Sequence, residues 1–135
     1  IGILIENPSF VAEYTGLKNL EMLACIKNKI EIEDIRHAME QVGLDPGDKR
    51  TYKKYSLGMK QKLGIANAIM GEPDVIVLDE PINALDEAGA KQVHEILEEQ
   101  KKRGALIIIA CHDKEELEML SDEIIEISEG RIIEK

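Results

Sequence analysis

The chain is poor in aromatic residues and in cysteine, and it contains no long apolar run. Aromatic side chains make up only 3% of its 135 residues, so an aromatic platform for stacking nucleic-acid bases is not expected. No stretch is long and apolar enough to span a bilayer, and no secretory signal begins the chain. The two cysteines, Cys25 and Cys111, are far apart in the sequence, which favours a reducing compartment over a disulfide framework.

Positive charge is scarce as well. The chain has 17 lysines and arginines and 27 acidic residues, which gives a net charge of −10, and we identify no block of lysine and arginine that would overturn this balance. Such a field repels a phosphate backbone, so no nucleic-acid partner is expected. The length suits one domain, and 44% apolar residues are enough for a core. Because the chain begins with Ile1, we interpret it as a piece of a longer protein.

The apolar pattern predicts an α/β fold with a parallel sheet. The run Val75–Leu78 is apolar on both faces, which is typical of a strand in the middle of such a sheet. The run Ala105–Ala110 has the same character, and an amphipathic helix at about 87–103 lies between the two runs. Strand, helix and strand in this order imply a right-handed crossover. A further short strand is expected at Ile1–Ile5.

Helices are predicted mainly before the central strand. Residues 15–44 form a small helical unit of two helices, in which Thr15 caps the first helix and Gly43 ends the second. Ser56 opens a further helix that ends at Gly71. Two shorter elements are predicted later in the chain, a helix from Asp113 and a hairpin around 129–130.

Two carboxylates, Asp79 and Glu80, follow the central strand directly. Open α/β sheets bind ligands at the carboxyl ends of their strands. A pair of carboxylates there suits Mg²⁺, which prefers few carboxylates and several waters, together with a base that orients water for phosphoryl hydrolysis. The alternative is an N-cap aspartate followed by a solvated glutamate, and the pair alone leaves both interpretations open.

His112 follows the neighbouring predicted strand, two residues beyond Ala110. If the crossover forms, His112 and Glu80 lie on the same edge of the sheet. A neutral imidazole there can bond a terminal phosphate or hold the attacking water. The alternative is a capping or partly buried histidine, which is the commoner role of a lone histidine. No second Cys/His pair stands at ligand spacing from Cys111 and His112, so these two residues do not predict a metal site.

Ser56 and Gly58 stand at the amino end of a predicted helix. Free N–H groups and the positive end of the helix dipole attract phosphate there, and Gly58 permits close approach of the backbone. The alternative is a plain serine N-cap, which is the commoner case. Glu6 and Asp86 also have ordinary alternatives, as a loop carboxylate and a helix N-cap.

The order of these signals resembles the nucleotide-binding domain of ATP-binding cassette (ABC) transporters. Residues 55–86, YSLGMKQKLGIANAIMGEPDVIVLDEPINALD, are similar to the family's signature helix, Walker B strand and D-loop. Residues 107–113, IIIACHD, resemble the strand and switch histidine that follow, and residues 1–23 resemble the Q-loop region. The likeness covers essentially the whole chain and is strongest to the branch that exports peptide antibiotics such as bacitracin and lantibiotics.

The resemblance implies a P-loop NTPase-like α/β core with a helical subdomain, its amino-terminal part missing, and ATP and Mg²⁺ as cofactors. Glu80 is the implied general base, His112 contacts the γ-phosphate, and Asp79 holds Mg²⁺ through water. The signature residues are expected to touch ATP held by a second subunit. The implied nucleotide-binding set is Ser56, Leu57, Gly58, Met59, the D-loop residue Asp86, and Glu6, and Glu6 is also an implied metal ligand.

The sequence departs from the family pattern at several positions. The usual signature is Leu-Ser-Gly-Gly-Gln, and here Tyr55, Leu57 and Met59 replace its first, third and fifth members. Gln61 is the candidate to compensate for Met59. Glu6 stands where the family usually has glutamine, which adds negative charge near Mg²⁺.

The larger departure is a missing loop. The Walker A loop GxxxxGK[ST] has no match in this chain, and in the family it precedes the Q-loop, as does the aromatic residue that stacks on adenine. The chain alone is therefore expected to be inactive, whereas the longer protein is expected to hydrolyse ATP as a dimer.

The resemblance implies a transport ATPase that is cytoplasmic and peripheral on the inner face of the cell membrane. Its expected partners are a transmembrane permease and a second ATPase subunit. The expected parts are a Q-loop region at 1–14, a helical subdomain with the signature helix at 15–71, and a core at 72–135. Two alternatives stay open. The first is a degenerate, non-catalytic regulatory module, which the Asp79–Glu80 pair disfavours. The second is a soluble non-transport ABC ATPase, and the acidic net charge disfavours such an ATPase with a role in DNA repair.

Overall fold

The computed structural model describes part of the chain. Backbone is described for residues 2–4, 10–25, 30–111, 115, 126–128 and 131–133, and side chains are described for 10–25, 30–111 and 115. The predictions for Glu6, for His112 and for a helix starting at Asp113 lie outside the described residues. In this part of the chain, no helix is both long and apolar enough to cross a membrane.

A three-stranded parallel sheet forms the centre of the fold. Its strands are β1 (Gly2–Leu4), β2 (Val75–Asp79) and β3 (Leu106–Ala110), in the spatial order β1-β2-β3. Leu4 pairs with Leu78, and Asp79 pairs with Ala110. The predicted α/β class is confirmed, and β2 has a parallel neighbour on each side, as its two-sided apolar sequence indicated.

The strand β3 is less buried than its sequence indicated. Ile107 and Ile109 pack against the core, but Leu106 is 58% exposed and Ile108 is 49% exposed. The prediction that β3 is buried on both faces is therefore wrong for these residues. The alternation arises because successive side chains of a strand point to opposite faces, and only one face of β3 meets the core.

Two short helices form the unit that precedes the central strand. They are α1 (Gly16–Ala24) and α2 (Ile32–Gln41). Thr15 caps α1, because its Oγ1 accepts a hydrogen bond from the backbone N–H of Lys18 at 3.1 Å. Gly43 follows α2 with φ +82°, a left-handed conformation that glycine adopts without strain, so the predicted stop is confirmed.

The helix α3 (Leu57–Ile69) joins this helical unit to the sheet. It contacts both helices of the unit, α1 and α2, and both of the strands β1 and β2. Leu63, Ile65 and Ala66 are fully buried, and together with residues of α1, α2, β2 and the helix after β2 they belong to one continuous hydrophobic cluster. The core that positions α3 is therefore the same core that positions the central strand.

The helix α4 (Glu87–Lys102) connects β2 to β3. Its inward face carries Val93, Ile96 and Leu97, all buried as the helical spacing predicted. The predicted hairpin is also confirmed, because β4 (Glu126–Ser128) pairs antiparallel with β5 (Arg131–Ile133).

Candidate functional site

The predicted base lies at the carboxyl edge of the sheet. Asp79 is the last residue of β2 and pairs with Ala110, the last residue of β3. The backbone N–H of Glu80 donates a hydrogen bond to the carbonyl oxygen of Ala110, with an N–O distance of 2.8 Å. The alternative that Asp79 caps a helix is wrong, because Asp79 ends a strand and α4 begins only at Glu87.

Glu80 has an unusual backbone conformation. Its φ is +49°, in the left-handed region that residues with a side chain rarely adopt. Its carbonyl oxygen accepts a hydrogen bond from the backbone N–H of Asn83 at 3.2 Å, which closes a turn directly after the strand. Conformations of this kind cost about 1–3 kcal/mol and persist where surrounding contacts determine them. Glu80 is half-buried.

A side chain of α3 supplies such contacts. The amide Nε2 of Gln61 donates hydrogen bonds to the carbonyl oxygens of Glu80 and Pro81, at 2.8 and 2.9 Å. The sequence predicts Gln61 only as a substitute for Met59, and it does not predict these bonds. The available signal was periodicity, since Gln61 shares a helix face with the buried Ile65 four residues on, where a polar residue needs a partner.

The amino end of α3 is built as the sequence predicted. Ser56 is the N-cap, and its Oγ accepts a hydrogen bond from the backbone N–H of Met59 at 3.1 Å. Leu57 is 71% exposed, whereas Met59 is half-buried. A β-carbon on Gly58 would lie 3.4 Å from the carbonyl oxygen of Ala84, so α3 contacts the turns that follow β2.

Asp86 acts as a helix cap. Its Oδ1 accepts a hydrogen bond from the backbone N–H of Gly89 at 2.7 Å, and this fixes the start of α4. The ordinary interpretation of Asp86 is therefore confirmed. The residue is exposed, and its role as a dimer contact stays a prediction.

The described carboxylates suit a sparsely liganded Mg²⁺. Asp79 is half-buried at the strand end, and Glu80 follows it. Among the described residues, no group of three or more His, Cys, Asp or Glu side chains could hold a metal ion. One or two carboxylates fit Mg²⁺, because this ion retains waters and takes further oxygens from phosphates. The other predicted ligand, Glu6, lies outside the described residues.

In the segment before α3, the ring of Tyr52 contacts Phe10 and Lys60. The rings of Phe10 and Tyr52 meet edge to face with centroids 5.2 Å apart, and the ammonium of Lys60 lies 5.1 Å from the Tyr52 ring centre. Burial raises the pKa of Tyr52, and it is also the main cause that raises the pKa of Tyr55. These contacts fix the position from which α3 starts.

An ion pair, Arg50–Asp48, precedes this segment in the sequence. The guanidinium of Arg50 bonds the carboxylate of Asp48, with an N–O distance of 2.7 Å. The side-chain hydrogen bonds from Arg50 lower the pKa of Asp48, and the same bonds raise the pKa of Arg50. Because this pair is on the surface, its net effect on stability is small.

Comparison with known proteins identifies the family of this chain. The family model described as ABC transporter matches residues 1–83. An uncharacterized ABC transporter ATP-binding protein of Bacillus subtilis, YybJ, is 44% identical over 132 residues, which are 98% of this chain and 61% of that protein. The bacitracin transport ATP-binding protein BcrA of Enterococcus faecalis is 39% identical over 136 residues, covering 100% of this chain and 44% of that protein.

A third relative is also an ATP-binding protein of a transport system. The lantibiotic transport ATP-binding protein SrtF of Streptococcus pyogenes is 39% identical over 133 residues, which are 98% of this chain and 58% of that protein. This chain therefore spans less than two thirds of the length of each of the three relatives. The resemblance inferred from the signature, Walker B and D-loop segments is confirmed, and the chain belongs to the ABC transporter family.

Proposed function

We propose that this chain is part of the ATP-hydrolysing subunit of an ABC transporter. The observation that carries the proposal is the hydrogen bond of 2.8 Å from the Glu80 N–H to the Ala110 carbonyl oxygen. It fixes Glu80 at the carboxyl edge of the sheet, beside the strand whose sequence continues to Cys111 and His112. This edge is where α/β sheets bind their ligands, so an acid placed there can meet a bound nucleotide.

Each predicted residue has a role in hydrolysis. Glu80 accepts a proton from the water that attacks the γ-phosphate, and His112 donates a hydrogen bond to that phosphate. Asp79 is the described residue suited to hold Mg²⁺ through water, and Glu6 is the second candidate from sequence. When bound, Mg²⁺ neutralises charge that develops on the phosphate oxygens.

The signature segment acts on a second nucleotide. Ser56 and Gly58, with Leu57 through its backbone, offer the free N–H groups of the α3 amino end to ATP held by a partner subunit. Asp86 lies in the D-loop between the two subunits, in addition to capping α4. ATP would thus hold two copies of the longer protein together, and hydrolysis would release them.

The relatives suggest what is transported. Two of them are described as bacitracin and lantibiotic transport proteins, and on this basis we assign peptide antibiotics as the exported class. The permease would be an integral membrane protein that docks on the helical subdomain at 15–71, whereas residues 72–135 form the catalytic core. The longer protein would then lie at the inner face of the cell membrane.

The chain alone is proposed to be inactive. It has no GxxxxGK[ST] loop, the element that cradles the β- and γ-phosphates in P-loop proteins. Calorimetric titration of the isolated chain with ATP and Mg²⁺ is expected to give no tight binding. Micromolar affinity would show that the missing loop is not needed for binding.

The transport function is tested by purifying the longer protein from its native cells. We expect it to hydrolyse ATP and to co-purify from the membrane fraction with an integral membrane protein. A protein that binds no ATP would support the degenerate regulatory module instead. A protein that hydrolyses ATP but stays wholly in the soluble fraction would support a non-transport ABC ATPase.

A further inference from the structure

The side-chain amide of Gln61 forms hydrogen bonds with the backbone of the turn after β2. Its Nε2, which carries two N–H donors, donates to the carbonyl oxygen of Glu80 at 2.8 Å and to that of Pro81 at 2.9 Å. Glu80 and Pro81 lie 19 and 20 positions after Gln61 in the sequence, so the contact is tertiary rather than local. Gln61 is itself half-buried, which limits competition from water for these two bonds.

These bonds connect Glu80 to α3, in addition to its bond to β3. The N–H of Glu80 is fixed to Ala110 of β3, and its carbonyl oxygen is fixed to Gln61 of α3 and to the N–H of Asn83. Both peptide groups that flank the Cα of Glu80 are therefore anchored while its φ is +49°. Because the Cα–Cβ direction follows from the backbone, this anchoring determines where the Glu80 side chain begins.

Gln61 also lies on the same helix as the signature residues. Gly58 precedes it by three residues, which places both on one face of α3. This face meets the segment after β2 at two points, since Gly58 lies against the carbonyl oxygen of Ala84 and Gln61 bonds Glu80 and Pro81. Both contacts connect the amino-terminal half of α3 with the backbone that follows β2.

We propose that Gln61 is a positioning residue for the catalytic base Glu80 and that it couples the position of the signature helix to that base. The inference rests on the proposed function, because it requires Glu80 to act in hydrolysis. Nucleotide contact at the amino end of α3 would then influence the geometry of a base on the same subunit. Gln61 touches neither nucleotide nor water in this scheme and acts only through the Glu80 backbone.

The test uses the longer protein that contains this chain. Gln61→Met keeps the approximate length of the side chain but removes both donors, whereas Gln61→Lys retains donors on a flexible stem. We expect Gln61→Met to lower kcat about ten- to a hundredfold with KM for ATP changed less than about twofold, because misplacing a catalytic group by about 1 Å costs rate rather than binding. Gln61→Lys is expected to recover part of the loss.

A matched control removes a similar bond elsewhere. Gln92 of α4 donates from Nε2 to the carbonyl oxygen of Gln41 at 3.1 Å and is also half-buried. Gln92→Met is expected to keep wild-type kcat. If Gln92→Met lowers kcat as much as Gln61→Met does, the loss reflects general destabilisation and the inference is overturned.

A double-mutant cycle separates positioning from a merely structural role. If Gln61 acts through Glu80, Gln61→Met has no further effect on the residual turnover of Glu80→Gln. An equal loss in both backgrounds would overturn the inference, as would wild-type kcat in Gln61→Met. If the methionine variant does not fold, Gln61→Glu is compared with Gln61→Lys in the same cycle, because Gln61→Glu places an acceptor against the two carbonyl oxygens. Equal kcat in these two variants overturns the inference.

The same cycle distinguishes failure of the proposed function. If Glu80→Gln alone retains full turnover, Glu80 is not the base, and the inference fails together with that assignment. If Glu80→Gln loses turnover while Gln61→Met does not, the assignment of Glu80 survives and only the positioning role is excluded.

Discussion

The backbone N–H of Glu80 bonds the carbonyl oxygen of Ala110, one residue beyond the last register pair of β2 and β3. The ladder between β2 and β3 thus extends to the predicted base itself. Because the strands are parallel, the chain that leaves β3 through Cys111 departs at the same edge as Glu80. The structure therefore places the backbone of Glu80 beside Ala110, the last residue of β3, and His112 lies outside the described residues.

The first prediction concerns Glu80. In the longer protein, Glu80→Gln should leave ATP binding intact and lower turnover by about a hundredfold or more, because it removes the general base without changing side-chain size. Steady-state hydrolysis and equilibrium ATP binding measure the two effects. Glu95→Gln, an exposed change on α4, is the control and should behave as wild type. Unchanged turnover in Glu80→Gln would assign the base to another residue.

The second prediction concerns His112. His112→Ala should lower turnover about a hundredfold, the effect expected when one hydrogen-bond donor to the reacting phosphate is lost. Because this loss falls on the transition state, kcat should fall more than the affinity for ATP does. His37→Ala, an exposed change on α2, is the matched control. Equal kcat for the two histidine variants would contradict the role given to His112.

Local features of this chain were readable from the sequence. Thr15, Ser56 and Asp86 were each expected to cap or open a helix, and each accepts a backbone N–H from a residue three positions on. Such bonds span one helical turn, so the sequence of one turn is enough to predict them. The central place of β2 was readable too, because its apolar residues suit burial on both faces.

Features that depend on distant packing were not readable. The bonds of Gln61 cross 19 and 20 residues, and they require a particular placement of α3 over the end of β2. The positive φ of Glu80 has no sequence signal, because glutamate does not favour that conformation. The exposed face of β3 was missed for a similar reason, since an apolar strand does not reveal how many of its faces meet the core.

The third prediction separates the two roles of Asp86. Asp86→Ala should lower the free energy of unfolding by about 1 kcal/mol, because the Gly89 N–H loses its acceptor. Asp86→Asn should retain most of that stability, since asparagine caps helices about as well as aspartate. Urea unfolding of the longer protein measures both changes.

The control for this prediction is Asp74→Ala, at an exposed aspartate just before β2. It should change stability by less than about 0.5 kcal/mol. If Asp86→Asn is as stable as wild type but turns over ATP more slowly, the Asp86 charge also acts in the proposed dimer contact. Equal stability of Asp86→Ala and wild type would show that the cap contributes nothing.

The last prediction concerns alkaline stability. Burial raises the pKa of Tyr52 above its ordinary value of about 10, so the folded protein holds the phenol proton more tightly than the unfolded chain does. Above about pH 10 the unfolded state loses this proton first, and the free energy of unfolding therefore falls as pH rises through the folded pKa. Tyr52→Phe should make that fall less steep, because phenylalanine keeps the ring near Phe10 and Lys60 but cannot ionise.

Urea unfolding of wild type and Tyr52→Phe between pH 7 and pH 11 tests this expectation. Below about pH 9 the phenol is protonated in both states, so the difference in unfolding free energy between the two proteins should be constant there. Above about pH 10 wild type should lose stability relative to Tyr52→Phe, because only wild type loses the contribution of the Tyr52 phenol. Curves that stay parallel up to pH 11 would show that folding does not perturb the Tyr52 phenol.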